Sequence, residues 1–231
     1  MSVKLNPEAE KIYGRIEKAK ADAGRNDKIF FAAVSKTRTV DEMKEAEKIS
    51  WVDFFGENRV QEAESKRKSY GSSRLMWRLI GHLQANKARK AIEIFDTIDS
   101  VDSIDLAVRL NRIAAELGKV VPVLIEVNTS GEASKSGVEP SKFYELLDTV
   151  TEQKNLRLDG LMTVGPLTDD ERSVRASFAE LRRLIEDSRS RTGLPMPVLS
   201  MGMSGDFEAA IAEGSTLVRI GTLLFGPRDY R

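Results

Sequence analysis

The sequence contains no cysteine, only one histidine and only four tyrosines among its 231 residues. Without cysteine there can be no disulfide, no thiolate metal ligand and no cysteine nucleophile. Basic and acidic side chains number 36 each, so the formal net charge is zero. A chain without excess positive charge lacks the electrostatic footprint of a protein that binds nucleic acid or a membrane surface. We therefore expect neither of those partners.

Long hydrophobic runs are missing too. No segment approaches the length that spans a membrane, and the first twenty residues, MSVKLNPEAEKIYGRIEKAK, have no apolar stretch like that of a signal peptide. They predict an amphipathic helix over 7–24, with Asn6 as its N-cap and Pro7 in its first turn. These features predict a soluble cytoplasmic protein. The basic stretch SKRKSYGSSR, at 65–74, is expected to be a solvated helix end and loop.

The chain does have a regular alternation of apolar, β-prone runs with helix-like segments. The helical patterns at 102–118 and 173–193 end at glycines, which is typical of helix C-termini. Near-continuously apolar strands separated by helices indicate parallel strands covered by helices. The eight strand candidates lie at 29–36, 51–58, 74–83, 95–102, 121–129, 158–165, 197–203 and 217–226.

About eight such units close into a (β/α)8 TIM barrel. We expect residues 1–231 to form one such domain, without a linker or a second unit. No helix-length segment follows the eighth strand, so the N-terminal helix is expected to complete the outer ring. An open doubly wound sheet is the alternative architecture, which the strand count disfavours.

Functional residues of a (β/α)8 barrel lie at the C-terminal ends of its strands. Lys36 ends the first strand candidate, in AAVSKTRTV, and MGMSGD at 201–206 ends the seventh and opens a helix. Ser204 and Gly205 in that loop offer backbone N–H groups to an anion. Gly221 and Thr222 follow the eighth strand, and the loops after strands seven and eight commonly hold phosphate. The pattern favours a phosphate site, with ordinary helix capping as the alternative.

A lysine that faces a phosphate site suggests covalent chemistry with a phosphorylated carbonyl compound. Burial and a neighbouring cation such as Arg219 would favour the uncharged amine of Lys36, which is the nucleophilic form. A Schiff base with pyridoxal phosphate (PLP) fits directly, and an aldolase-type sugar phosphate is the other candidate. A lysine that merely pairs with a strand-end carboxylate is the remaining interpretation.

Several motifs, in their order along the chain, resemble the YggS/PROSC family of PLP homeostasis proteins. They are AVSKT, FGENRVQE, IGHLQANK, SKSG, GLMT and LSMGMSGDFEAAIAEGSTLVRIGTLLFG, and the resemblance covers nearly the whole chain. It implies a barrel like the N-terminal domain of alanine racemase, with PLP as an internal aldimine on Lys36. It also implies further cofactor-binding residues: Ser204, Gly205, Gly221 and Thr222 around the phosphate, Arg219 at the pyridine nitrogen, and Asn58 and Met201 as additional contacts.

The choice between enzyme and carrier depends on what surrounds the cofactor. An arginine beside the pyridine nitrogen disfavours protonation of that nitrogen and weakens the electron sink, which argues against transamination and decarboxylation. Racemisation tolerates this arrangement, but it needs an acid/base group on each face of the α-carbon. Alanine-racemase-like enzymes take a tyrosine from a second domain that we do not expect here. The four tyrosines are Tyr13, Tyr70, Tyr144 and Tyr230, and none of them lies at the end of a predicted strand.

We therefore predict a non-catalytic PLP carrier, with a PLP-dependent racemase of the alanine racemase type as the alternative. The lone histidine, His82, is expected to be a hydrogen-bonded loop residue rather than a catalyst. Lys135, in SKSG, is interpreted as a solvated loop lysine, with transient capture of the PLP aldehyde as the alternative. The expected partners are PLP and PLP-dependent apo-enzymes that receive it, and the chain is expected to be a monomer. A purely structural or interaction module has less support.

Overall fold

Eight parallel strands close into a barrel in the computed structural model, which describes residues 5–7 and 9–227. The strands pair in chain order, and the first pairs with the eighth to close the ring. They are β1 Phe30–Val34, β2 Phe54–Glu57, β3 Met76–Leu79, β4 Thr97–Val101, β5 Val121–Glu126, β6 Leu156–Met162, β7 Val198–Ser200 and β8 Leu217–Ile220. The predicted (β/α)8 TIM barrel is confirmed.

The helices form the outer layer of the barrel. They are α1 Ala9–Asp22, α2 Val40–Glu47, α3 Val60–Tyr70, α4 Ala88–Ile94, α5 Ile104–Glu116, α6 Phe143–Glu152, α7 Glu171–Thr192, α8 Phe207–Ala212 and α9 Thr222–Phe225. No helix of the described residues is long and apolar enough to cross a membrane.

Each predicted strand extends beyond the C-terminal end of the observed strand, and the eighth does so by the most residues. The run at 217–226 was expected to be β throughout, but β8 ends at Ile220 and residues 222–225 form the short helix α9. Gly221 is the N-cap of this helix, and its backbone leaves the extended conformation there. The chain therefore turns away from the barrel axis directly after Gly221.

Helix α1 completes the outer ring, as predicted. Its apolar side is buried, and Arg15 forms an ion pair with Glu208 of α8 at 2.5 Å. On its other side, Tyr13 stacks on Trp51, which precedes β2, with 6.0 Å between ring centroids. The helix thus lies between α8 and the segment that leads into β2, where an eighth outer helix would otherwise pack.

The two faces of each strand have different surroundings. Side chains such as Phe31, Ala33 and Trp77 belong to the apolar core between the strands and the helices. Because side chains alternate along a strand, the residues between them point into the barrel. That interior carries four buried charges, which belong to Arg78, Asp99, Glu126 and Arg219. The barrel centre is therefore polar, and it lies directly below the C-terminal mouth.

Candidate functional site at the barrel mouth

Lys36 lies at the C-terminal end of β1, between the ends of its two neighbouring strands. Ala33 is paired with Ile220 of β8, and Val34 is paired with Gly56 of β2. Lys36 follows Val34 by two residues, so it lies beyond these paired positions, at the end of the barrel where β2 leads to Asn58 and β8 leads to α9. Lys36 is half-buried and in phase with the inward-pointing residues of β1. The structure thus brings Lys36 to the predicted face of the barrel.

The loops after β7 and β8 meet beside the end of β1. Ser204 accepts a hydrogen bond at its Oγ from the backbone N–H of Leu223, at 3.4 Å. The space around Gly205 is open, because a Cβ added there would meet no atom within 4 Å. A Cβ on Gly221 would lie 3.4 Å from Val34, and Thr222 is exposed. The four residues predicted to hold phosphate therefore lie on one polar surface beside the end of β1.

Arg219 occupies the barrel interior below that surface. Its Nη1 donates to Ser200 Oγ at 2.7 Å, and its Nη2 donates to the backbone carbonyl of Thr163 at 2.7 Å. Only 3% of the residue is exposed. Burial lowers the pKa of Arg219, and the charges of Asp99 and Glu126 act in the opposite direction. The guanidinium is thus held in a fixed orientation at the centre of the barrel.

A second buried arginine lies in the same interior. Arg78 makes a two-pronged ion pair with Asp99, at 2.7 and 2.9 Å, and Thr97 Oγ1 donates to the same carboxylate at 2.9 Å. Such an arrangement satisfies a buried carboxylate well. Sequence reasoning missed this pair, although a charged residue inside each of the runs MWRL and TIDSV was a signal of a polar interior.

Glu126 at the end of β5 is the least satisfied of the interior charges. Only 4% of it is exposed, and its Oε2 atom has no hydrogen-bond partner among the described residues. Burial raises the pKa of Glu126 to about 7, and the negative charge of Asp102 adds to this, while Arg219 opposes it. Near neutral pH the site therefore contains a carboxyl group close to its titration point.

Asn58 and Met201 have different positions. Asn58 is half-buried at the end of β2, and its Oδ1 atom is buried without a hydrogen-bond partner among the described residues. Met201 is 0% exposed and belongs to the apolar core. The structure thus places Asn58 at the mouth with an unused acceptor, whereas Met201 packs behind the loop and has no surface at the mouth.

The remaining candidates are loop residues with partners. His82 is hydrogen-bonded through Nδ1 to Asp102 Oδ2 at 2.9 Å, which is the position expected of it. Lys135 is not a free solvated lysine, because its Nζ donates to Glu132 Oε1 at 2.8 Å and to the carbonyl of Gly165 at 2.7 Å. It therefore ties the loop after β5 to the loop after β6.

The described tyrosines lie on helices, away from the strand ends. Tyr13 is in α1, Tyr70 ends α3 and donates to Glu47 at 2.7 Å, and Tyr144 is in α6 and donates to Asp187 at 3.1 Å. Tyr230 lies outside the described residues. Among the described residues, no tyrosine hydroxyl reaches the mouth.

A buried polar cluster outside the barrel wall was also missed. Lys66, Glu57 and Ser35 are hydrogen-bonded to one another directly behind Lys36, and each is at most 8% exposed. The basic stretch at 65–74 is therefore not wholly solvated as predicted, because Lys66 points inward from α3. The sequence did not distinguish Lys66 from its helical neighbours Arg67 and Lys68, which are also basic.

Comparison with known proteins identifies related chains. A family model described as alanine racemase, N-terminal domain, matches residues 9–229. A protein from Aquifex aeolicus named pyridoxal phosphate homeostasis protein is 40% identical, over 95% of this chain and 96% of that relative. One of the same name from Pseudomonas aeruginosa is 42% identical, over 95% of this chain and 94% of that relative.

Solved structures agree in fold. PipY of Synechococcus elongatus, determined with PLP bound, has a TM-score of 0.80 and 37% identity, covering 92% of this chain and 100% of that chain. An alanine racemase from Clostridium difficile has a TM-score of 0.74 but only 17% identity, covering 95% of this chain and 56% of that chain. The second likeness concerns the fold alone.

Proposed function

Because the chain belongs to the pyridoxal phosphate homeostasis proteins, within the alanine racemase N-terminal domain family, we propose that it binds PLP and serves PLP homeostasis as a carrier. In this proposal residues 1–231 form one PLP-binding domain, which holds the cofactor through Lys36 and acts in the cytoplasm. The observation that carries it is the convergence of Lys36 with the loops after β7 and β8, at the mouth of a barrel whose centre contains Arg219.

The residues at the mouth fit PLP. When bound, PLP supplies an aldehyde that condenses with an unprotonated amine to form a carbon–nitrogen double bond with loss of water. Lys36 is the amine at the mouth, and Ser204, Gly205, Gly221 and Thr222 would hold the phosphate through backbone N–H groups and hydroxyls. Asn58, half-buried at the end of β2, is proposed as a further polar contact. Met201 is proposed to support the phosphate loop from behind.

Arg219 is proposed to face the ring nitrogen of the cofactor. An arginine remains charged at physiological pH and can only donate hydrogen bonds, so it accepts no proton from the cofactor and gives none to it. A ring nitrogen beside it stays unprotonated, which leaves PLP a poor electron sink. This supports a carrier in preference to a transaminase or a decarboxylase.

The proposal that the chain is not an enzyme rests on the described tyrosines and on His82; Glu126, whose carboxyl has a pKa raised to about 7, lies in the barrel interior with Arg219 and is assigned no acid/base role. A racemase needs an acid/base group on each face of the α-carbon, within hydrogen-bond reach. Tyr70 and Tyr144 are engaged with carboxylates on outer helices, and His82 is engaged with Asp102. The proposal also includes that the chain acts as a monomer and that it releases PLP to PLP-dependent apo-enzymes.

The phosphate part of the site is tested by Thr222→Val, which removes one hydroxyl and preserves the shape of the side chain. A hydrogen bond to a charged group contributes about 1.5–3 kcal/mol, so we expect the affinity for PLP to fall by about ten- to a hundredfold. Pyridoxal, which lacks the phosphate, should bind the variant and the unchanged protein equally. Titration followed by absorbance measures both ligands.

Thr151→Val is the matched control, because Thr151 is an exposed threonine in α6 on the outer ring. Thr151→Val should change neither the affinity for PLP nor the affinity for pyridoxal. Equal losses for PLP and pyridoxal in Thr222→Val, or no loss for PLP, would place the phosphate elsewhere. Failure of the unchanged protein to bind PLP at all would refute the proposed function.

A further inference from the structure

A second lysine, Lys66, lies outside the barrel wall and contacts the chain next to Lys36. The side chain of Lys66, in α3, is only 9% exposed. Its Nζ donates to the carbonyl of Ser35 at 2.6 Å and to Glu57 Oε1 at 2.7 Å, and it pairs with Glu62 Oε1 at 2.6 Å. A lysine has three N–H donors, so each of them can be matched to one of these three acceptors.

The same carboxylates also hold the chain on both sides of Lys36. Glu57 Oε1 accepts from the Ser35 hydroxyl at 2.7 Å, and Glu62 Oε1 accepts from the backbone N–H of Thr37 at 2.5 Å. Ser35 and Thr37 are the two chain neighbours of Lys36. The ammonium group of Lys66 is therefore bound to both carboxylates, each of which accepts a hydrogen bond from a chain neighbour of Lys36.

The backbone at Thr37 shows why such a clamp is needed. Thr37 has φ of +64°, in the left-handed region that a β-branched residue rarely adopts. A residue in this region keeps its conformation only when the surrounding contacts impose it. On the opposite side, Arg38 Nη1 donates to the carbonyl of Phe225 at 3.2 Å, which fixes the next residue to the end of α9. Lys36 is thus the residue between two anchored neighbours.

We propose that Lys66 is a positioning residue for Lys36: through Glu57, Glu62 and the carbonyl of Ser35 it fixes the 35–37 backbone, so that the Lys36 amine is held at the barrel mouth and PLP is released slowly. The statement about PLP rests on the proposed function, whereas the statement about the backbone does not. Lys66 itself would not touch the cofactor, because its three donors are engaged behind the strand.

The test compares Lys66→Met with Lys68→Met. Both lysines lie in α3 and pair with a glutamate four residues earlier, but Lys68 is 74% exposed and its partner Glu64 also pairs with Lys90 of α4, on the other side of α3 from α2. Methionine fills the buried space of Lys66 without its charge. Glu62→Gln is a milder third variant, which weakens the contact with Thr37 and keeps the pair of Lys66 with Glu57.

The first readout is amide hydrogen exchange of the PLP-free proteins, followed by mass spectrometry of the peptide that contains residues 35–39. Local opening controls such exchange, so we expect about a tenfold faster rate in this peptide for Lys66→Met and a smaller increase for Glu62→Gln. Peptides from β5 and β6 should exchange as in the unchanged protein. Lys68→Met should leave all of these peptides unaffected.

The second readout is the dissociation rate of PLP, followed by the loss of its bound absorbance. We expect about a tenfold faster release from Lys66→Met, and unchanged release from Lys68→Met. The proposal would be overturned if the amide exchange rate of the 35–39 peptide in Lys66→Met stayed unchanged, or if it rose equally in the peptides of all strands. It would also be overturned if this peptide exchanged faster while the rate of PLP release stayed the same. If Lys66→Met does not fold, Glu62→Gln decides by the same criteria.

The two proposals fail in different ways. If the unchanged protein does not bind PLP, the proposed function is wrong, and the exchange rates alone then show whether Lys66 fixes the 35–37 backbone. If the unchanged protein binds PLP and Lys66→Met behaves like Lys68→Met in both readouts, only the positioning role of Lys66 is wrong.

Discussion

Replacing Lys36 with alanine is expected to abolish the covalent attachment of PLP completely and to leave the barrel folded. Alanine has no amine to condense with the aldehyde, and the position is half-buried at a strand end rather than in the core. The loops after β7 and β8, which are proposed to hold the phosphate, remain, so weak noncovalent binding should persist. Borohydride reduction of the PLP-loaded protein, followed by intact mass measurement and peptide mapping, detects the attachment.

Lys87→Ala and Lys135→Ala are the controls for this result. Lys87 is a half-buried lysine in the loop after β3, and Lys135 bridges the loops after β5 and β6. Both variants should be labelled by PLP and borohydride to the same extent as the unchanged protein, with the added mass on the peptide that contains Lys36. Full labelling of Lys36→Ala at another lysine would show that the site has been assigned to the wrong amine.

Replacing Glu126 with glutamine is expected to raise the free energy of unfolding by about 3 kcal/mol at about pH 8. Burial raises the pKa of Glu126 from 4.5 to about 7, so the folded barrel favours the protonated form. A carboxyl with a raised pKa stabilises the fold below its unfolded pKa, and this contribution is lost as the pH rises through its folded pKa. Glutamine resembles the protonated form at every pH, so the gain should disappear near pH 4.5.

Urea unfolding of both proteins across this pH range measures the effect. Glu139→Gln is the matched control, because the side chain of Glu139 is 66% exposed in the loop after β5. Its unfolding free energy should follow that of the unchanged protein at each pH. If Glu126→Gln and the unchanged protein had parallel profiles between pH 4.5 and 7, the carboxyl at the end of β5 would not be held in its protonated form.

The fold could be predicted from the sequence because its signals are local and repeated. Apolar runs alternate with helical segments that end at glycines, and eight repeats of this pattern correspond to one known closed architecture. The ends of strands were less certain, since LVRIGTLLFG is apolar throughout and only the backbone at Gly221 shows where β8 stops. Local pattern therefore identified the elements better than it identified their bounds.

The location of the candidate site could be predicted where it depends on position along a strand, and the binding roles of its residues stay predictions. Lys36, Asn58 and the loops that begin at Ser204 and Gly221 each follow a strand, and strands of a parallel barrel end at one face. Met201 follows a strand as well, but its side chain points into the apolar core, which depends on the local turn of the chain. The sequence alone could not show which residues after a strand face the barrel mouth and which, like Met201, face the apolar core.

The pairings between distant residues could not be predicted. Arg78 meets Asp99, and Lys66 meets Ser35 and Glu57, only because the barrel brings adjacent strands and the helix α3 together. In the sequence, Lys66 is one of three basic residues in SKRK, and the inward orientation of one of them is set by helix rotation and packing. Such networks become visible only when the strands are assembled.

The central claim is that this barrel holds PLP without catalysing a reaction on amino acids. The measurement that tests it most directly is α-proton exchange in heavy water, followed by NMR, with PLP-loaded protein and a mixture of L-amino acids. We predict exchange no faster than that produced by free PLP at the same concentration. Exchange well above that level, and lost in Lys36→Ala, would contradict the claim and identify the protein as an enzyme with an acid/base pair at the barrel mouth.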